Sequence, residues 1–214
     1  MPPIVSIVGH SQSGKTTLIE KLIPELKSRG YRVATVKHTH HEATFDEPGK
    51  DSWRHIHAGS DATILSSQNQ LVLIKPGCSD DVINEISVLL GEDYDIFIVE
   101  GLRQGNAPKI EVHRKEMVPL LADISQRIAI ATNEPLETKT RQFPLDDVTG
   151  LADFLDESFI KPRKEELSLF INNAPIPLSN FPKELIKNVL VGIANSLKGV
   201  GEVKNLKLFL RKRE

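Results

Sequence analysis

The sequence predicts an α/β fold, a doubly wound and mainly parallel sheet over residues 1–160, followed by a small C-terminal α+β annex over 161–214. Three observations predict it. Short β-branched apolar runs alternate with amphipathic helical patterns. Several of those runs are apolar throughout, as strands covered on both faces are. A charged run with a proline, Lys161 to Glu166, then separates off a remainder with its own pattern.

Ile4 to Val8 reads as a buried strand. Leu18, Ile19, Leu22, Ile23 and Leu26 follow at helical spacing on one face, with Gly30 as the stop. Pro24 falls inside this helix and is expected to kink it, because it cannot donate to the carbonyl of Glu20. Arg32 to Val36 is a second strand. Residues 37–59 are polar and without clear periodicity, the mark of a long functional or mobile loop. Ala62 to Leu65 and Leu71 to Ile74 flank a polar turn and resemble a hairpin. Asp80 to Leu90 reads as a helix, capped by Asp80 and stopped by Gly91. Ile96 to Val99, Ile110 to Val112 and Ile128 to Ala131 are further strands, and Asp146 to Leu155 a further helix. In the annex, Leu167 to Ile171 reads as a strand, Pro182 to Leu197 as a helix with proline in its first turn, and Val203 to Leu210 as a half-buried strand. So short a segment cannot build a robust core alone, so it is expected to pack on the main domain or on a second subunit.

A net charge of −2 argues against a general nucleic-acid binder, and the terminal Arg211, Lys212 and Arg213 read as solvated. The single cysteine, Cys78, excludes an intrachain disulfide and a four-cysteine zinc site. No apolar run approaches the ~20 residues that span a membrane. The N-terminus opens directly on the first strand, without leader features. A cytoplasmic protein that binds neither nucleic acid nor membrane is expected.

Gly9-His10-Ser11-Gln12-Ser13-Gly14-Lys15-Thr16 fits G-x-x-x-x-G-K-[ST], the Walker A loop of phosphate-loop NTPases. It has the context the motif requires, a strand before it and an amphipathic helix after. Its glycines let successive backbone N–H groups aim at phosphate oxygens, and the helix that follows adds its positive dipole end. Lys15 suits the β- and γ-phosphates, and the Thr16 hydroxyl is a hard ligand for Mg²⁺. Thr17 belongs to the same binding stretch. Glu100 closes the apolar strand Ile96 to Val99, at the sheet edge where doubly wound folds bind ligands. There it holds Mg²⁺ through water, orients an attacking water, or is simply a solvated carboxylate. Gly101 lets the chain turn close to the ligand, and Arg103 either reaches phosphate or lies on the surface.

These residues carry a resemblance to a known family. Val8-Gly-His-Ser-Gln-Ser-Gly-Lys-Thr-Thr17, then Val36-Lys-His-Thr-His-His41 leading into Asp46-Glu-Pro-Gly-Lys-Asp-Ser-Trp-Arg54 and Ala58-Gly59, then Ile98-Val-Glu-Gly-Leu-Arg103, resemble the MobB family of molybdopterin-guanine dinucleotide biosynthesis adaptor proteins in order and spacing. The likeness runs from residue 3 to about 156 and leaves the annex outside it. The first stretch is shared with many phosphate-loop proteins, whereas the second is specific. The resemblance implies a homodimeric GTP-binding protein with weak Mg²⁺-dependent hydrolysis. It also implies that the protein assists the guanylyltransferase that joins GMP to molybdopterin, with molybdopterin itself as a further ligand.

His38, His40, His41, His55 and His57 crowd one segment. With Lys37, His38 leaves the second strand at the same edge as the phosphate loop, so both are candidate nucleotide contacts. Anion or pterin-phosphate binding, transition-metal binding and a plain polar loop all remain open for the histidines. Asp46 and Asp51 could position Mg²⁺ or water, and with Lys15 and Glu100, Asp51 completes the candidate catalytic set. Lys50 and Arg54 could meet phosphates of the ligand or of a partner subunit, and Trp53 is either a partner anchor or a packed side chain. Asn133 follows the strand Ile128 to Ala131 and is placed to meet a nucleobase, but the guanine-reading Asn-Lys-x-Asp string is absent. Two other functions stay open. One is a small-metabolite kinase, for which Lys37, Lys50 and Arg54 make a sparse lid. The other is a regulatory nucleotide-binding module without turnover.

Overall fold

A computed structural model describes residues 2–39, 46–76, 82–91, 93–117, 119–162, 167–172, 174–203, 206–208 and 210. The chain divides into two compact units, Met1–Arg163 and Lys164–Glu214.

In the first unit, strand β1 (Ile4–Val8) is followed by helix α1 (Lys15–Ser28), strand β2 (Val33–Lys37) and helix α2 (Asp51–His57). The hairpin β3 (Thr63–Ser66) and β4 (Leu71–Ile74) comes next, then helix α3 (Val82–Leu90). Strands β5 (Ile96–Glu100), β6 (Lys109–His113), β7 (Arg127–Thr132) and β8 (Arg141–Pro144) lead to helix α4 (Val148–Leu155), which continues into a π-helical turn, Asp156–Ile160. Six strands form one sheet in the order β2-β5-β1-β6-β7-β8, and every pairing is parallel. All six carboxyl ends therefore lie along one edge, with β1 inside the sheet. The hairpin is a separate antiparallel pair that leaves Ile64, Leu65 and Leu71 exposed.

One face of the sheet packs on α1 and α4. Val5, Ile7, Ile96, Ile98, Ile110 and Val112 meet Leu18, Leu22 and Leu26 of α1 and Leu151 and Leu155 of α4. The expected face of α1 is the buried one, because side chains three and four apart share a side of the helix. Val8, Phe97, Val99 and Ile130 point to the opposite face and are buried too, which explains why these strands carry apolar residues on both faces. α1 runs through Pro24, which is exposed. Glu20, whose carbonyl it cannot serve, is exposed as well.

Two elements of the first unit depart from the sequence reading. Residues 51–57 form a helix inside the stretch read as a loop. It is too short to show periodicity, and its entry is held by Asp46, which accepts from the Ser52 hydroxyl at 2.8 Å. β8 was not anticipated because Arg141-Gln-Phe-Pro144 is short, polar and at the edge of the sheet. The expected cap Asp80 lies outside the described residues, and α4 is capped by Asp147, which accepts from the Gly150 N–H at 2.9 Å.

The second unit holds an antiparallel pair, β9 (Leu169–Ile171) and β10 (Ala174–Ile176), and helix α5 (Asn180–Ser196). Among the described residues of 203–210 no strand forms, and β9 and β10 pair only with each other. No described helix is long and apolar enough to cross a membrane.

Candidate functional site

The loop between β1 and α1 turns tightly at its glycines. Gly9 has φ +148°, and a Cβ there would lie 2.5 Å from the Val112 carbonyl oxygen and 2.7 Å from Ser13 Oγ. Only glycine lets the loop pass this close to β6. His10, Ser11 and Gln12 make the outer turn, with Gln12 itself at φ 62°. His10 Nε2 lies 3.0 Å from the Pro119 carbonyl oxygen. Ser13 is buried, and Gly14 leads into α1 by accepting from the Leu18 N–H at 2.9 Å.

Lys15 turns back over this loop. Its ammonium donates to the carbonyls of His10 at 2.6 Å and Gly9 at 3.3 Å. Burial pulls its pKa below the usual lysine value; Glu100 opposes that shift, and Lys37 and Arg103 reinforce it. Arg103 Nη2 donates to the same Gly9 carbonyl at 2.9 Å, so Arg103 braces the loop from the segment after β5.

Glu100 stands beside Thr16. The Thr16 hydroxyl donates to Glu100 Oε2 at 3.0 Å, and Lys37 ion-pairs with Glu100 Oε1. Register causes the second contact, since Lys37 and Glu100 are opposite partners in the parallel pairing of β2 with β5. The turn that follows is tight: Gly101 has φ +99°, and a Cβ there would meet the His38 carbonyl oxygen at 2.8 Å. The His38 N–H donates to the Glu100 carbonyl at 3.0 Å, so His38 lies beside the site through its backbone. Thr16 and Glu100 offer two hard oxygens 3.0 Å apart. Adjacent ligands of an octahedral Mg²⁺ with bonds of 2.0–2.1 Å are also separated by about 3 Å, so this pair fits that ion.

Other candidates stand elsewhere. Asp51 opens α2 with an exposed side chain and pairs with Arg54 at 3.7 Å, and Lys50 pairs with Glu47 at 3.5 Å. Trp53 stacks on His57 with ring centroids 3.6 Å apart, so it packs within its own helix. His40 and His41 lie outside the described residues. Among the described residues, no group of three His, Cys, Asp or Glu is arranged to hold a metal.

Arg114 is the residue that sequence reasoning missed. It follows β6 at the carboxyl edge, as Glu100 closes β5, so the strand-end rule applied to Ile110–Val112 would have found it. Its Nε donates to the Ser13 carbonyl at 3.0 Å, and its Nη2 lies 3.3 Å from where a Gly14 Cβ would be. It also lines a cavity of about 790 Å³ that extends from Gly14 and Thr17 to the ends of β7 and β8. Asn133 lines the cavity as well, but its amide is engaged: Oδ1 accepts from the Lys115 N–H at 2.8 Å, and Nδ2 donates to Glu116 at 3.2 Å.

Residues 4–133 match the sequence model of MobB, described as molybdopterin guanine dinucleotide synthesis protein B. The chain belongs to the MobB family. It is 40% identical over 159 residues to the molybdopterin-guanine dinucleotide biosynthesis adapter protein of Haemophilus influenzae, covering 72% of this chain and 88% of that protein. The protein of the same name from Escherichia coli K12 is 34% identical over 166 residues, covering 73% of this chain and 93% of the relative. Among solved structures, a crystal structure of molybdopterin-guanine biosynthesis protein B superposes with a TM-score of 0.57 at 29% identity, over 72% of this chain and 97% of the other. Bacillus subtilis MobB gives 0.59 at 27% identity, over 73% and 98%. The sheet with its flanking helices is thus the MobB fold. The family match ends at residue 133, so the second unit lies outside it.

Proposed function

We propose that this chain is a GTP-binding adaptor in molybdopterin guanine dinucleotide biosynthesis, with slow Mg²⁺-dependent GTP hydrolysis and a molybdopterin guanylyltransferase as its partner. The observation that carries the reading is the meeting of Lys15, Thr16, Lys37 and Glu100 at one end of the phosphate loop. Lys15 exchanges the loop carbonyls for phosphate oxygens, while Arg103 keeps its hold on Gly9. Thr16 and Glu100 would hold Mg²⁺, which neutralises charge on the phosphates when bound. Glu100 would also orient a water attacking there. Lys37, displaced from Glu100, is a second cation for the terminal phosphate.

Membership of the family supports the adaptor role. A metabolite kinase is less well served, because Lys50 pairs with Glu47 in the turn before α2 and Arg54 pairs with Asp51 on the helix. We include a homodimer in the proposal. The exposed Ile64 and Leu71 of the hairpin, and Phe181, Leu185 and Ile193 on α5, are apolar surfaces of the kind that association covers. Light scattering on the full chain tests it, and a strict monomer would remove that part.

Reconstitution tests the whole. Molybdopterin, GTP and Mg²⁺ are incubated with this protein, the transferase, or both. Stimulation of dinucleotide formation only when both are present, lost with Lys15→Ala, is the expected result. Dinucleotide made by this chain alone would refute the adaptor role.

A further inference from the structure

The cavity beside the phosphate loop has a second end that the Walker motif does not account for. Its volume of about 790 Å³ is that of a ligand pocket. It begins at Gly14 and Thr17, next to the phosphate site, and ends where Glu134 follows β7 and Asp146 follows β8. We propose that this cavity holds the nucleobase of the bound triphosphate and that the Asp146 carboxylate selects guanine. The proposal rests on the nucleotide-site reading above and adds the group that chooses the base.

Three features make the cavity suitable. It is continuous with the loop, so one ligand can occupy both. Its walls include Leu18, Pro135 and Leu145, apolar surfaces suited to the faces of a flat ring. Arg114 stands at the junction, fixed to the loop by its bond to the Ser13 carbonyl. Its planar guanidinium is suited to lie against a base or to meet the phosphate nearest the ribose.

The choice of Asp146 follows from what the other polar groups already do. The Asn133 amide is engaged at both its oxygen and its nitrogen. Glu134 Oε1 is held by His113 Nε2 at 3.0 Å. Asp146 lines the same cavity, and its carboxylate has no partner among the described residues. A carboxylate offers two acceptors side by side and no donor. Guanine matches it with two adjacent donors, the ring N1–H and the exocyclic amino group. Adenine sets an acceptor beside a donor, which turns a lone pair towards the carboxylate. Inosine keeps only one of guanine's two donors. Xanthine has an oxygen in place of the amino group, and an amide in place of the carboxylate would favour it.

The test titrates the full chain, Asp146→Asn and Glu134→Gln with the non-hydrolysable imidotriphosphates of guanosine, inosine, xanthosine and adenosine. The parent should bind the guanosine form about tenfold or more tightly than the inosine and adenosine forms, the scale of one good bidentate contact. Asp146→Asn should lose that preference and gain affinity for the xanthosine form, while Glu134→Gln keeps the parent's order. Asp147, and not Asp146, caps α4, so the substitution leaves the helix cap in place. Equal binding of all four bases, an unchanged order in Asp146→Asn, or a shift seen with Glu134→Gln instead would each overturn the assignment while the phosphate site stands. If no triphosphate binds the parent, the phosphate-site reading fails, and this inference with it.

Discussion

Lys15→Ala separates the phosphate loop's role in binding from its role in the fold. The Lys15 ammonium serves two carbonyls of the loop, His10 at 2.6 Å and Gly9 at 3.3 Å. Arg103 also reaches the Gly9 carbonyl, at 2.9 Å, so the variant leaves only His10 without its side-chain donor. Lys15 also sits against its own desolvation, which lowers its pKa, and removing the charge relieves that cost. The net change in stability should therefore stay within about 1 kcal/mol. Binding should respond very differently. Two charge-assisted hydrogen bonds to phosphate, at about 1.5–3 kcal/mol each, amount to roughly 3–6 kcal/mol, or about 10²- to 10⁴-fold in affinity. Calorimetric titration with a non-hydrolysable GTP analogue, paired with urea denaturation of both proteins, measures the two quantities. An affinity within threefold of the parent would refute the reasoning, because Lys15 would then not face the phosphates.

Glu100→Gln should keep triphosphate affinity within a few-fold but lose Mg²⁺ dependence and at least tenfold in turnover, since a neutral amide is a poorer partner for the ion or its water. Phosphate release measured across a Mg²⁺ series checks this, and a parent-like curve would move Glu100 away from the metal. Gly9→Ala should cost about 2–4 kcal/mol, because the new Cβ would lie 2.5 Å from the Val112 carbonyl oxygen at a φ of +148°. Thermal denaturation should show it, with Gly30→Ala, where nothing lies within 4 Å, as the milder control. Tyr31→Phe probes a site remote from the loop. The Tyr31 hydroxyl donates to Asp156 Oδ1 at 2.5 Å, and that bond, with burial, pushes the Tyr31 pKa up to about 12. Burial alone would raise the Asp156 pKa, but hydrogen bonds from Tyr31 and Lys161 outweigh it and hold the carboxyl below its usual value. The carboxylate's contribution is thus present above about pH 4, its unfolded value, and is lost as pH falls through the lower folded one. The variant's deficit should be about 1–3 kcal/mol at pH 7 and shrink towards pH 2; a deficit independent of pH would contradict it.

The residues that were legible in the sequence are those whose meaning is local. Gly9 to Thr16 declares itself because contiguous residues set the dihedral angles of one loop, and the strand and helix on either side are visible as a short apolar run and a periodicity of 3.6. Glu100 was legible because an apolar run ends at it, and the ends of parallel strands gather at one edge. Sheet order and register are different in kind. They depend on pairing between distant segments, so only the tertiary structure decided that Lys37 lies opposite Glu100 and that β8 joins the sheet beside β7. The same holds for Arg114, which reaches the Ser13 carbonyl across a hundred residues of chain. Asn133 shows the converse. Its place after β7 was readable, but its commitment to Lys115 and Glu116 was not, because a side chain's hydrogen bonds are settled by whichever neighbours the fold brings within hydrogen-bonding distance.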